Sequence, residues 1–335
     1  MISHLIFKSL NPVSFNLNFN CGKLDMKKLN LYNCCWLIVI LVLFAAVTSF
    51  VMKPKNNEAP KFQQNKKKIV FIAGACSHGP GQHEHKAGCM LLAKELNKHM
   101  GQQVEAVVYQ GWPSDTTVLN NAAAIVMYMD GGGGHLALKH MTHLNALVQK
   151  GTGIACLHYA VEFPKETGGP EFKEWLGGYF EPYWSVNPHW MAEYKSLPKH
   201  PVTSGVSPFS IQDEWYYHMR FREGMQRVTP LLTAVPPPST LERKNGPHEG
   251  NEYVRKAMGQ PQHMAWVTQR PDGGRGFGFT GGHYHKNWQD KNFRKLVLNA
   301  IVWTAKLTVP SNGVPVPELS QEESIANLDT KPCPK

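Results

Sequence analysis

An α/β fold, a doubly wound and mostly parallel sheet with an antiparallel extension, is what this sequence predicts. Two observations predict it. Continuous apolar runs suited to buried strands alternate with stretches of helical spacing. Four of the runs then end in glycines and histidines: IVFIAGACSHGPGQHEH, AAIVMYMDGGGGH, GTGIACLHYAVE and GFGFTGGHYHKNW. In a parallel sheet the carboxyl ends of the strands share one edge, and ligands bind there. Topology alone therefore gathers His78, His83, His85, His135, His158, His283 and His285 near one crevice.

The elements follow in order. The first strand is the apolar run after Lys68. Ala87 to Met100 has apolar residues at helical spacing, and Val104 to Tyr109 is a second strand. Asn121 to Asp130 is a third, closed by four glycines. His135 to Lys150 is amphipathic and stops at Gly151, as helices often do. Gly153 to Tyr159 is the fourth strand. The pattern changes after Pro164. Residues 171–262 are rich in Trp, Tyr, Pro and Gly, with short alternating runs at Trp190–Tyr194 and Leu231–Val235. They read as an antiparallel extension or lid. His263–Gln269 and Gly276–Thr280 return to the sheet, and Asp290 to Lys306 is a periodic final helix. Residues 309–335 read as a polar, Pro-rich tail.

The 335 residues are 42% hydrophobic and 18% charged, as in an ordinary globular protein. The formal charge is +10, yet the cations are dispersed outside the Lys66-Lys67-Lys68 run and the first residues. No basic stripe interleaves with aromatics, which speaks against a nucleic-acid partner. Residues 1–53 differ from the rest. From Met26, an alternative start, two lysines precede an apolar run of about 19 residues, Cys34 to Met52. A basic segment before an apolar one reads as an export signal, with Val47-Thr48-Ser49 as a small-residue cleavage site; the length also fits an uncleaved membrane anchor. Both predict an exported protein of the periplasm or cell envelope. Residues 54–67 read as a polar tether and 68–308 as the folded domain. There are seven cysteines but no CxxC pair. No disulfide framework is expected, and Cys76 and Cys156 read as buried free thiols within apolar runs.

SHGPGQHEHKAG, DGGGGH, GIACLHYAVEF, DEWYYH and GFGFTGGHYHKNW occur in this order. Together they resemble the ThuA-like family, named for trehalose utilisation, over about residues 67–308. The resemblance implies a flavodoxin-like core related to class I glutamine amidotransferases. It also implies a role in sugar catabolism, notably of 3-keto-disaccharides, and a divalent metal such as zinc in some members. Where the amidotransferase ancestor carries a nucleophilic cysteine at a tight turn, this chain has Cys156 inside the strand and His158 at the turn. A thiol nucleophile must be exposed and activated, so glutamine hydrolysis is not expected.

His158 falls where a sharp turn aims a side chain into the crevice. His283 follows paired glycines that permit close backbone approach. His158, His283 and Glu214 are therefore assigned the catalytic roles, as ligands or acid/base groups. His83, His85, His158 and His283 form the expected ligand set for zinc or another first-row divalent ion. His83 and His85 alternate, so in an extended loop only one need point inward. Asp130, His135, Trp215 and Tyr216 are assigned to a small carbohydrate substrate. The glycines after Asp130 admit a close guest, and flat aromatic faces suit sugar rings. The leading expectation is a metal-assisted enzyme on 3-keto-glycosides, acting by elimination, hydrolysis or isomerisation. The alternative is a non-catalytic sugar-binding or scaffold module on the same fold.

Overall fold

The computed structural model describes residues 65–333. In chain order the first half comprises β1 (Lys67–Ala73), α1 (His85–Met100), β2 (Val104–Gln110), β3 (Ala122–Tyr128), α2 (Met141–Gln149), β4 (Gly153–Leu157) and α3 (Gly169–Leu176). Then come β5 (Gly178–Tyr179), β6 (His189–Tyr194), β7 (Phe209–Glu214), β8 (Arg220–Phe221), β9 (Val228–Ala234) and α4 (Glu252–Lys256). The chain closes with β10 (Gln262–Gln269), β11 (Arg275–Phe279), α5 (Lys291–Thr304) and α6 (Gln321–Ile325).

Seven strands form one sheet in the order β2-β1-β3-β4-β11-β10-β9. The first five run parallel, while β10 is antiparallel to both of its neighbours. The order reverses between β1 and β3, the topological switch point of a flavodoxin-like sheet. Side chains alternate across the strands, so each face gathers its own apolar set. Ile69, Phe71 and Ala73 of β1 pack with Leu92 and Leu96 of α1 and with Leu296, Ala300 and Ile301 of α5. Val70 and Ile72 pack on the other face with Leu144, Leu147 and Val148 of α2 and with Phe172 and Leu176 of α3. Full burial of one such Leu or Ile is worth about 1.5–3 kcal/mol. The α5 helix begins at Asp290, whose carboxylate accepts the backbone N–H groups of Asn292 and Phe293, each at 2.9 Å.

Three expectations need correction. The helix expected over 135–150 is a 3-10 turn at Leu136–His140 followed by α2. The imidazole of His135 takes the N–H of Ala137 at 3.1 Å and so caps a tighter turn in front of the helix. The expected antiparallel extension is present: β6/β7 and β5/β8 pair antiparallel, and β9 joins the central sheet antiparallel to β10 while α3 packs on that sheet. The Pro-rich stretch is no loose tail. Val314 is fully buried, the Ser324 carbonyl of α6 lies 3.1 Å from His285 Nε2, and Cys333 is disulfide-bonded to Cys76 with Cα atoms 5.6 Å apart. Cys76 thus lies in the loop after β1, bonded rather than free, while Cys156 is buried and free as expected.

The disulfide closes a loop with a sequence separation of 257. Loop closure of that length constrains the unfolded chain by up to about 5 kcal/mol. Cys333→Ser should therefore lower Tm by about 5 °C or more in calorimetry, matching wild type held under reductant. An unchanged Tm would mean that the unfolded chain gains nothing from release. The export and anchor segment expected over residues 26–52 lies outside the described residues. Among the described residues no helix is long and apolar enough to cross a membrane.

Candidate metal centre at the carboxyl edge of the sheet

Four elements deliver the site. His83 lies in the loop after β1, His158 directly after β4, Glu214 at the end of β7 and His283 in the loop after β11. All four are buried, and one donor atom from each lies within 4.8 Å of the others. His83 Nε2 is 3.1 Å from both His158 Nε2 and His283 Nδ1. Glu214 Oε2 is 3.4 Å from His158 Nε2 and 3.0 Å from His283 Nδ1.

The backbone is bent to make this meeting. His83 and His158 have φ of 46° and 54°, a left-handed conformation that non-glycine residues adopt only when their surroundings enforce it. At His158 the bend separates an inward imidazole from Cys156 two residues earlier in the strand. Burial pushes the Cys156 thiol well above its ordinary pKa. At the His283 loop the anchor is Asp213, fully buried in β7. Its carboxylate accepts N–H groups from Gly282 (2.7 Å), Glu214 (2.8 Å), His283 (3.1 Å) and Tyr284 (3.4 Å). Gly282 has φ 110°, open to glycine alone, and its carbonyl also accepts from Tyr128 Oη.

The second nitrogen of two imidazoles fixes their tautomers. His158 Nδ1 is 2.8 Å from the carbonyl of Thr280, which only accepts, so Nδ1 carries the hydrogen. His83 Nδ1 donates likewise to Asp130 Oδ1 at 2.8 Å. Both Nε2 lone pairs then face each other at 3.1 Å, and neither neutral ring can donate to the other. A cation between them, a proton or a metal ion, resolves the clash. Burial holds His83 well below its ordinary pKa despite the pull of Asp130. For His158 burial works in the same direction, but the hydrogen bond and charge of Glu214 outweigh it and keep that imidazole above its ordinary value. Burial would raise Glu214, yet its bonds to His158 and His283 hold it well below the usual carboxylate range. Tyr216 Oη completes the ring, 3.2 Å from His158 Nε2 and 3.3 Å from Glu214 Oε2.

The expected site residues divide. His83, His158, His283, Glu214 and Tyr216 come together, and Asp130 holds His83 from behind with its side chain 38% exposed. His85, expected as a ligand, is outside the four. Its Nδ1 bonds the carbonyl of Ala75 at 3.0 Å because the residue already opens α1. His135 is also outside. It is buried against Phe163, with one nitrogen on Ala137 N and the other 3.2 Å from Ala160 O, so neither is left for a sugar. Trp215 offers no stacking face: it is fully buried against Phe279 and Phe293, its indole N–H on Ile211 O. Strand alternation sends Glu214 and Tyr216 to one side and Trp215 to the core.

Sequence reasoning gave no role to several residues. Asp213 stood beside Glu214 without a signal to separate anchor from ligand. Asn187 donates to Glu214 Oε1 at 3.0 Å, and His78, expected at this crevice but given no ligand role, stacks on His83 with ring centres 3.6 Å apart. His189, with Nε2 3.7 Å from Glu214 Oε1, sits at the rim.

Fold and site together define an α/β protein with a buried histidine–carboxylate centre at the carboxyl edge of a doubly wound sheet. The chain belongs to the ThuA family: the family model described as trehalose utilisation matches residues 70–304. Two solved ThuA-like proteins share the fold. The one from Bacteroides uniformis ATCC 8492 is 19% identical with a TM-score of 0.50, covering 72% of this chain and 92% of its own. The one from Parabacteroides merdae ATCC 43184 is 16% identical with a TM-score of 0.51, covering 77% of this chain and 99% of its own. A glutamine amidotransferase from Thermotoga maritima is similar at 9% identity and a TM-score of 0.39, over 72% of this chain and 100% of its own. No protein of curated function matches this chain.

Proposed function

We propose that the protein is an exported, metal-dependent enzyme acting on a carbohydrate, with 3-keto-glycosides as the substrate class. Four buried donors within 4.8 Å of one another, from His83, His158, Glu214 and His283, carry this reading. Their closer separations run from 3.0 to 3.4 Å. Donors around one ion with bonds of about 2.0–2.2 Å lie about 3.3 Å apart in a tetrahedral set. Three imidazole nitrogens and one carboxylate oxygen suit zinc or another first-row divalent ion better than magnesium or calcium. Asp130 behind His83 and the Thr280 carbonyl behind His158 are the outer partners that such imidazole ligands require.

When bound, such an ion supplies Lewis acidity to a ketone oxygen. The chain's own groups do the rest. His83 and His158 present lone pairs in fixed directions, Glu214 brings the negative charge, and Tyr216 offers a hydroxyl within reach of both His158 and Glu214. A ketone acidifies the neighbouring C–H, so proton removal there opens elimination, hydrolysis or isomerisation. The carbohydrate assignment is supported by the family's description, trehalose utilisation. Export is supported by the apolar segment after Met26 and by the Cys76–Cys333 bond, which persists in oxidising compartments. Burial of Trp215 removes one of the aromatic faces on which a purely sugar-binding module would draw.

Elemental analysis of purified protein, paired with a 3-keto-glycoside turnover panel, tests the reading. One equivalent of divalent metal per chain is expected, and chelation should abolish turnover reversibly. Metal-free protein with full turnover, or sugar binding without turnover in metal-loaded protein, would refute it.

A further inference from the structure

A second pair of titratable groups lines the same crevice and is used by nothing above. His248 lies in the loop between β9 and α4, and its Nε2 is 2.8 Å from Glu162 Oε1. Glu162 is buried, with its side chain 3% exposed, whereas His248 is 33% exposed. Both ends of the pair are tied to the metal centre. Glu162 closes the short turn that begins at His158. The His248 carbonyl accepts the N–H of Asn187 at 3.0 Å, and the Asn187 side chain donates to Glu214. Arg243 locks this link by donating to Asn187 Oδ1 (2.8 Å) and to the His248 carbonyl (3.2 Å). Tyr159 stands between the two groups, its ring centre 6.0 Å from His83 and 6.3 Å from His248.

We propose that His248 is the proton-transferring residue of this crevice, with Glu162 as its positioning carboxylate, and that it protonates the oxygen leaving the sugar. This rests on the metal-dependent reading above. Because Nε2–H is committed to Glu162, the free acid/base atom is Nδ1, which has no protein partner among the described residues. A buried carboxylate, an imidazole held by it and an open second nitrogen form the base-and-orienter arrangement of acid/base sites. In the step, the Nδ1–H bond breaks as an O–H bond forms on the leaving oxygen. The C–O bond breaks with both electrons going to that oxygen. The electrons that replace them come from the C–H bond beside the ketone, whose proton passes to water, so a C=C bond forms and His248 becomes neutral.

The charged and titratable groups facing His248 are Glu162 after β4, Glu214 of β7 and Arg243 of its own loop. The bond to Glu162 holds the imidazole above its ordinary pKa against burial and Arg243. Burial holds Glu162 above the usual carboxylate range, with His248 working against it. The bond to Glu162 therefore keeps His248 in its charged, proton-donating form to higher pH than a free imidazole.

The test compares zinc-loaded wild type, His248→Gln and Glu162→Gln in three measurements. Metal content should stay at one equivalent in all three. Turnover of methyl 3-keto-β-glucoside, whose alkoxide leaving group needs a proton, should fall at least about 10²-fold in His248→Gln, with the alkaline limb of the pH profile gone and KM changed little. NMR titration of His248 should show its midpoint falling by about one unit or more in Glu162→Gln. Turnover and pH profile unchanged in His248→Gln would overturn the proposal. Loss of zinc in either variant would also overturn it, by making the pair part of the metal centre. A zinc-loaded wild type that leaves the keto-glucoside intact refutes the substrate reading instead. The pair is then decided by the titration, and a midpoint indifferent to Glu162→Gln overturns it.

Discussion

Removing the imidazole of His158 should cost the protein the divalent metal proposed above and at least about 10²-fold in turnover, the scale of losing an acid/base group or ligand. His158 touches three other members of the centre, and its tautomer is set by Thr280. His158→Asn is the informative variant, because asparagine tolerates the positive φ of this turn while alanine adds strain. The control is Cys156→Ala, two residues earlier. That thiol is buried in β4, so its loss should cost about 1 kcal/mol in stability and leave turnover per folded molecule unchanged. Both variants are read by metal analysis, keto-glycoside turnover and thermal melting. If Cys156→Ala is dead while His158→Asn works, the nucleophile of an amidotransferase-like reaction returns to the strand.

The second large effect belongs to a residue that touches no ligand. Asp213→Ala should destabilise the protein by about 3 kcal/mol or more, measured by urea unfolding, and loosen metal binding as well. Four backbone N–H groups converge on that carboxylate, and the site is closed to water that could replace it. Three of the four belong to the loop that carries His283, the fourth to Glu214. The change therefore releases two of the four donors at once. Asp213→Asn keeps the shape but turns an amide toward the same donors, and should fall between wild type and alanine. A loss below about 1 kcal/mol for Asp213→Ala would show that the loop is held by other contacts.

What the sequence disclosed follows the strength of periodic signals. Buried parallel strands write themselves as unbroken apolar runs, so β1, β3, β4 and β11 were legible, and with them the edge that carries His83, His158 and His283. The turn at His158 was legible for the same reason, since Cys156 completes the apolar run. Position along the chain does not say where a side chain points once a loop folds back. His135 looked equivalent to His158, yet its two nitrogens serve the backbone of a 3-10 turn. Trp215 and Glu214 were neighbours in a motif, and alternation put them on opposite faces. Cys333 had no spacing signal at all, because its partner lies at the other end of the domain. His248 sits in a loop held by a backbone bond from Asn187, a contact no periodicity encodes.

The donors at positions 83, 158, 214 and 283 are contributed by segments that meet only when the chain is almost fully assembled. Local contacts do not help such a centre form, and its closure entropy must be met before any donor pairs. It should therefore be among the last features to appear during refolding. A chain still emerging from the ribosome cannot capture an ion there until β11 and its loop are made. Affinity for the ion and completion of the fold then become one equilibrium: any truncation that deletes β11 yields a protein without the centre, and any ion held there acts as a brake on unfolding.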